Sequence, residues 1–317
     1  MERTRTESLF FVLASTGIAL GTLVAVSWVA GFTHVLHRLE TVDPVWFASA
    51  FGAQILAYVG YVLAYREVAR VEDGCDLPTR NVVAAVTAGF GPFVARGGFA
   101  VDVHAFKQAG LSDHEVRTRV LGLGALEYAL LAPAACVVAI QLLAEHRQTP
   151  PLGVTLPWAI TVPLGFAAAL WAVGHRESLR SRGGLVRHLA HALDSIHVLK
   201  CLFVRPRHAL GPLGAAIYWF GDIFCLWACL QAFTHGTPNI SLLLLGYATG
   251  YALTRRTLPL GGAGAVEALL PFALSWCGIS LAAAVLAVFT YRVFNLWLPI
   301  VPAALGLRSM KAALLAP

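Results

Sequence analysis

Six long apolar runs constrain this chain more than any other feature. They are Leu9–Ala30, Val45–Tyr65, Val120–Leu143, Val154–Val173, Leu210–Phe233 and Leu281–Leu305. A hydrocarbon layer about 30 Å thick needs about 20 apolar residues per helical crossing. Lipid also demands that every backbone polar group be satisfied within the segment, which a helix does. The runs therefore predict an all-α, polytopic membrane protein. Composition agrees: 58% of the 317 residues are hydrophobic and 13% are charged, about half the charge of a soluble domain. This excludes a disordered chain, a secreted disulfide scaffold and a nucleic-acid-binding domain. No domain boundary interrupts the pattern, and residues 1–317 read as one transmembrane domain. Arg3 and Arg5 give the first run the flank of a signal peptide. Its length, and the lack of a small-residue cleavage site, make it a retained anchor.

Two further apolar stretches are broken. Val82–Phe106 contains Gly89, Gly91, Pro92, Arg96, Gly97, Gly98 and Asp102, and Ile240–Cys277 contains Arg255, Arg256, Pro259, Gly261, Gly262, Gly264 and Glu267. Irregular backbone at membrane depth is tolerated only where it is packed in protein or lines a cavity. Both stretches are expected to be re-entrant helical hairpins. For the second, a full crossing by Ile240–Leu253 alone, short for a span, is the alternative.

Basic residues set the orientation. Segments 66–80 and 107–119 each carry three Lys or Arg, and 175–208 carries seven. Basic loops stay in the cytoplasm, on the anionic inner leaflet. With 66–80 and 107–119 on one side, the first hairpin must enter and leave there. The second then enters from outside, and both termini are cytoplasmic. This arrangement places 17 of the 23 basic residues inside, two outside (Arg38 and Arg147), and four at membrane depth. Segment 175–208 reads as a basic cytoplasmic loop between two halves. Leu185, Leu189, Leu193 and Ile196 form one apolar stripe of an amphipathic helix lying on the inner leaflet.

The halves echo one another. Arg96-Gly97-Gly98 with Asp102, then Gly110-Leu111-Ser112, precedes one long span. Gly261-Gly262 with Glu267, then Gly278-Ile279-Ser280, precedes another, and the displacement between the copies is nearly constant. Copies entering from opposite faces make an inverted repeat, and paired interrupted segments mark the binding region of many transporters.

Ionisable groups at membrane depth are costly and are functional candidates by default. They are Arg96, Asp102, Glu127, Asp222, Arg255, Arg256, Glu267 and Arg292. Four arginines against four carboxylates could simply neutralise one another. The functional reading is that the arginines grip a phosphate, for which the planar, permanently charged guanidinium is suited. Glycines ahead of a helix add N–H donors, and the carboxylates can meet an amine or gate the site. Gly262-Ala-Gly264 resembles half a dinucleotide fingerprint but has Glu267 in place of the third glycine, so that reading fails. Gly17–Gly21 and Gly246–Gly250 have GxxxG spacing and are expected to pack helices closely.

No metal or cofactor site is expected. The six cysteines lack CxxC spacing and read as small buried hydrophobes. His188 and His191, with Asp194 nearby, have no further Cys or His repeating their spacing. No soluble catalytic motif is present; the loop carboxylates that a transferase could use are Asp73 and Asp76.

The run Leu258-Pro-Leu-Gly-Gly-Ala-Gly-Ala-Val-Glu267-Ala, followed by Tyr291-Arg292-Val-Phe-Asn-Leu-Trp297-Leu-Pro299, resembles the transmembrane domain of the lysylphosphatidylglycerol synthase family, as a stand-alone member without the aminoacyl-transferase domain. The similarity is specific over Leu258–Gly306, looser over Gly89–Gly110 and absent from Met1–Arg80. The chain departs from the family pattern at Leu260, where Gly is common, and at Gly124, where Arg is common. The resemblance implies a flippase-like fold of inverted repeats in a bacterial inner membrane. It implies translocation of a phosphate-bearing, aminoacylated or related lipid. The expected binding set is Arg96, Asp102, Arg255, Arg256, Gly261, Gly262, Glu267 and Arg292, supported by Glu127, Asp222 and Tyr291. The expected partners are the lipid, the anionic inner leaflet, and either a second copy or a separate lipid-modifying enzyme. A second class stays open: an enzyme or accessory acting on polyprenol-phosphate-linked sugars.

Overall fold

A computed structural model describes residues 2–39, 42–90, 98–145, 151–175, 185–234, 236, 238–251 and 258–305. Every regular element among them is helical. Six helices are long and apolar enough to cross a membrane, as the apolar runs predict. They are α1 (Glu2–Ala30), α3 (Val45–Arg70), α6 (Asp113–Ala144), α7 (Leu152–Gly174), α9 (Leu210–Gln231) and the segment Leu281–Leu305, which begins as α12 (Leu281–Arg292). The remaining helices are α2 (Phe32–Leu39), α4 (Thr79–Phe90), α5 (Gly98–Gln108), α8 (Leu185–Val204), α10 (Ile240–Tyr251) and α11 (Ala265–Trp276).

The centre is the pair α3 and α9. Glycines let their backbones touch. A methyl group at Gly60 would lie 2.5 Å from Tyr218 N, at Gly214 2.6 Å from Gly60 O, and at Gly221 2.7 Å from Ala53 O. Later residues of α3 meet earlier residues of α9, so the two run antiparallel. Of the expected GxxxG pairs, Gly246 and Gly250 do approach a neighbour: a Cβ at Gly250 would sit 2.6 Å from Leu270 Cα. Gly17 and Gly21 have nothing within 4 Å. Their spacing on α1 meets no neighbour among the described residues.

The charged segments gather at one end. Arg119 Nη2 donates to Val71 O at 2.9 Å and its Nε to Ala69 O at 3.3 Å. Arg70 donates twice to Asp76 Oδ1, at 2.9 and 2.7 Å. His208 Nε2 accepts from Arg207, which leaves Nδ1–H to donate to Glu67 Oε2 at 3.1 Å. Segments 66–76, 107–119 and 197–208 therefore share this end, as the charge pattern requires. In the loop after α3, burial pushes the Cys75 thiol up, against the pull of the Arg119 guanidinium. Ser112 caps α6, exchanging hydrogen bonds with Glu115 in a capping box. At the far end, Arg38 donates to Phe233 O and the Asp43 N–H to Ala232 O.

Both broken stretches form hairpins. α4 leaves the charged end and stops with Phe90 edge-on to Tyr58 and Tyr61, near the middle of α3. α5 returns, stacking Phe106 on Tyr65 at 5.0 Å. In the second hairpin α10 and α11 lie antiparallel: Gly250 faces Leu269 and Leu270, and Gly246 faces Leu274 and Cys277. This hairpin opens at the far end. Helices of 12, 11, 12 and 12 residues reach about 18 Å at 1.5 Å per residue, short of a bilayer core.

α8 falls inside the expected amphipathic segment. The side chains of Leu185 and Leu189 lie outside the description. In its second half the buried residues are Ser195, Val198, Cys201 and Leu202. Val198 packs where Gly122 of α6 leaves room, and Leu202 against Gly211 of α9. That half of the helix is held by the protein through a face other than the stripe read from the sequence.

Candidate functional site

The turn between α10 and α11 is built from glycines for a physical reason. Gly261, Gly262 and Gly264 have φ of 66°, 70° and 85°, and Leu260 has φ of 57°. This left-handed region is costly for any residue with a Cβ. The turn is clamped from within. Glu267, in the first turn of α11, accepts the Gly264 N–H at 2.7 Å through Oε2 and Arg292 Nε at 2.5 Å through Oε1. Arg292 Nη2 donates to Gly261 O at 3.1 Å and its Nη1 to Asn295 Oδ1 at 3.3 Å. The two charged residues are both fully buried.

Asn295 continues the network. Its Nδ2 donates to Asp222 Oδ1 at 3.0 Å, so the amide turns its oxygen to the cation and its nitrogen to the anion. Asp222 Oδ2 also accepts from Tyr291 at 2.7 Å and from Tyr247. Asn295 sits in a π-helical stretch, Val293–Trp297, directly before Leu298-Pro299. Proline cannot return the α-register hydrogen bond to Asn295 O, and the Leu298 N–H bonds instead to Val293 O at 2.8 Å. Wide turns of this kind recur at functional sites. The Asp222 level is set by Gly221, which touches Ala53 and Ala57 in the middle of α3.

A smaller cluster occupies the first half. Tyr61 OH donates to Glu127 Oε1 at 2.6 Å, and Trp219 Nε1 to Glu127 O at 2.9 Å. Asp102 is fully buried, within electrostatic reach of Glu127 and Tyr65. The clusters mirror each other. Tyr61 on α3 meets Glu127 on α6, and Asp222 on α9 meets Tyr291 on α12. Acid and tyrosine have exchanged helices, at nearly equal displacements along the chain. Trp219 joins them, bonded to Glu127 and lying 6.0 Å, ring to ring, from Tyr247.

Of the residues expected to bind, Glu267, Arg292, Gly261, Asp222 and Tyr291 come together. Gly262 lies in the same turn. Asp102 and Glu127 belong to the second cluster. Arg96, Arg255 and Arg256 lie outside the described residues, as does Gly97. Sequence reading passed over Asn295, Tyr247 and Tyr61. Asn295 had a signal, an amide three residues after an arginine in an apolar run. Asp76, a carboxylate considered for a transferase, is engaged by Arg66 and Arg70. Beside the network, α3, α4 and the last span enclose a groove of about 380 Å³ lined by Phe51, Gln54, Tyr58, Thr87, Phe294 and Pro302.

These features define a multi-pass helical membrane protein with two interrupted hairpins opening at opposite ends and a buried polar network at one hairpin tip. The family model of the lysylphosphatidylglycerol synthase TM region matches residues 12–303, so the similarity reaches into the first 80 residues, where the motifs alone had shown none. The chain belongs to that family, whose membership ties it to a membrane lipid-related function. A search of curated proteins found no match.

Proposed function

We propose that this protein is a lipid translocase of a bacterial inner membrane, with both termini cytoplasmic, moving a phosphate-bearing phospholipid between leaflets. The two hairpins act as re-entrant segments and their tips, together with Arg96, Gly97, Arg255 and Arg256, receive the headgroup. The observation that carries this reading is the clamp of Arg292 and Glu267 on the Gly261–Gly264 turn. A charged headgroup cannot cross hydrocarbon unless fixed partners replace its water. An arginine already held at depth can trade its carboxylate for a phosphate, since both match the guanidinium fork. Glu267, once released, is free to meet a headgroup amine, and the loosened glycine turn can move. The acyl tails stay in lipid, with the groove at Phe51–Phe294 as their path beside the tip. Asp102 and Glu127 serve the corresponding place in the first half.

The test is headgroup-labelled phospholipid in vesicles reconstituted with purified protein. Arg292→Lys keeps the charge and loses the fork; transbilayer movement is expected to fall at least tenfold while the protein stays monodisperse. Normal movement in both Arg292→Lys and Glu267→Gln would sink the reading. Sugar transfer to or from a polyprenol phosphate by the same preparation would move the protein to the second class.

A further inference from the structure

The charged end holds a cluster unrelated to the hairpin tips. Glu72, His197 and Cys201 bring one carboxylate oxygen, one imidazole nitrogen and one thiol to within 4.8 Å of one another. His197 and Cys201 stand four residues apart on α8, one above the other on the same face. Their Nε2 and Sγ are 3.6 Å apart. Tetrahedral zinc, with bonds of about 2.0–2.3 Å, sets its ligand atoms about 3.3–3.6 Å apart, so this pair already has the spacing. Glu72 comes from the loop after α3, 125 residues away in sequence, with Oε1 at 2.5 Å from the same nitrogen. That contact must open by about 1 Å to admit an ion. Glu72 and His197 are half exposed, with side chains 49% and 46% accessible, so both have room to do so. Cys201 is buried behind them.

Nitrogen, thiolate and carboxylate together are the ligand mixture of borderline divalent ions, zinc foremost, and not of calcium or magnesium. We propose that Glu72, His197 and Cys201 bind a zinc-type divalent cation with three protein ligands and one open, solvent-facing position. The bound ion ties the loop following α3 to α8, the helix that joins the two halves of the chain. Binding deprotonates Cys201 and releases a proton.

Cobalt(II) titration of the purified full chain in detergent tests this. Cobalt in such a site shows intense tetrahedral ligand-field bands and a thiolate charge-transfer band. The expected result is saturation at one equivalent, reversal by one equivalent of zinc, and loss of the charge-transfer band in Cys201→Ser. Cys75→Ser, which alters the neighbouring thiol, should titrate as the unaltered chain does. Glu72→Gln and His197→Gln change half-exposed side chains and should each weaken binding at least tenfold with the chromatographic profile unchanged. The proposal is overturned if the folded chain gives no thiolate charge-transfer band. It is equally overturned if the band survives Cys201→Ser, or if Glu72→Gln and His197→Gln bind as tightly as the unaltered chain.

Discussion

Arg292 is an intramembrane arginine whose partners are all supplied by the protein. A buried ion pair gains little over a well-packed apolar pair, but removing one member strands the other. Glu267→Ala should therefore cost about 3–5 kcal/mol, measured by thermal or denaturant unfolding in detergent. The double change Glu267→Leu with Arg292→Met should cost less than Glu267→Ala alone. If the costs of single changes simply add, the two residues do not act as a clamp. Leu260 offers the opposite case. It stands in left-handed backbone with φ of 57°, at a position where the family commonly has glycine. A left-handed non-glycine residue costs roughly 1–2 kcal/mol, of which glycine's extra chain entropy takes back about 0.5–1. Leu260→Gly is thus expected to raise stability by about 0.5–1 kcal/mol without lowering lipid movement. A lower unfolding midpoint would mean that the Leu260 side chain contributes more than its backbone costs.

Helices α3 and α9 meet through backbone, not through side chains. At Gly214 an added methyl group would strike Ala64 N and Gly60 O, both 2.6 Å away, and neither atom can swing aside. Gly214→Ala should destabilise by about 1–3 kcal/mol or more, the range of overpacked cores. Gly52 lies on the same α3 and has nothing within 4 Å. Gly52→Ala is expected to be neutral or stabilising by up to about 1 kcal/mol, from helix propensity alone. Unfolding midpoints of the two variants, compared side by side, check this; equal effects would contradict the close approach. None of the three contact glycines, Gly60, Gly214 and Gly221, stood out in the sequence. A small residue permits contact but does not name its partner, and the GxxxG spacing that did stand out on α1 meets nothing among the described residues.

Across the whole molecule, the basic segments cluster at one end and α2 marks the other. The proposed orientation, charged end toward the cytoplasm, predicts that a cysteine replacing His34 in a cysteine-free background reacts with an impermeant reagent applied to intact cells. Cysteines at Asp76 or Lys200 should not. The reverse pattern would turn the molecule over in the membrane and leave its fold intact. Helical class, the six long spans and the two interruptions were legible in the sequence. The apolar length of a span and the breaks by Gly and Pro are local consequences of the bilayer's thickness and of backbone hydrogen bonding. Glu267 and Arg292 were also legible, since charge in an apolar run announces itself. Their pairing was not, and neither was the approach of Asp102 to Glu127. Both depend on which faces of α11 and α12, and of α5 and α6, turn toward each other. The clustering of Glu72 with His197 and Cys201 was hidden for the same reason, because the loop after α3 and α8 lie far apart in the chain. Local chemistry dictated where helices begin, break and end. The tertiary structure alone decided which buried charges meet, because that depends on the packing of helices distant in sequence.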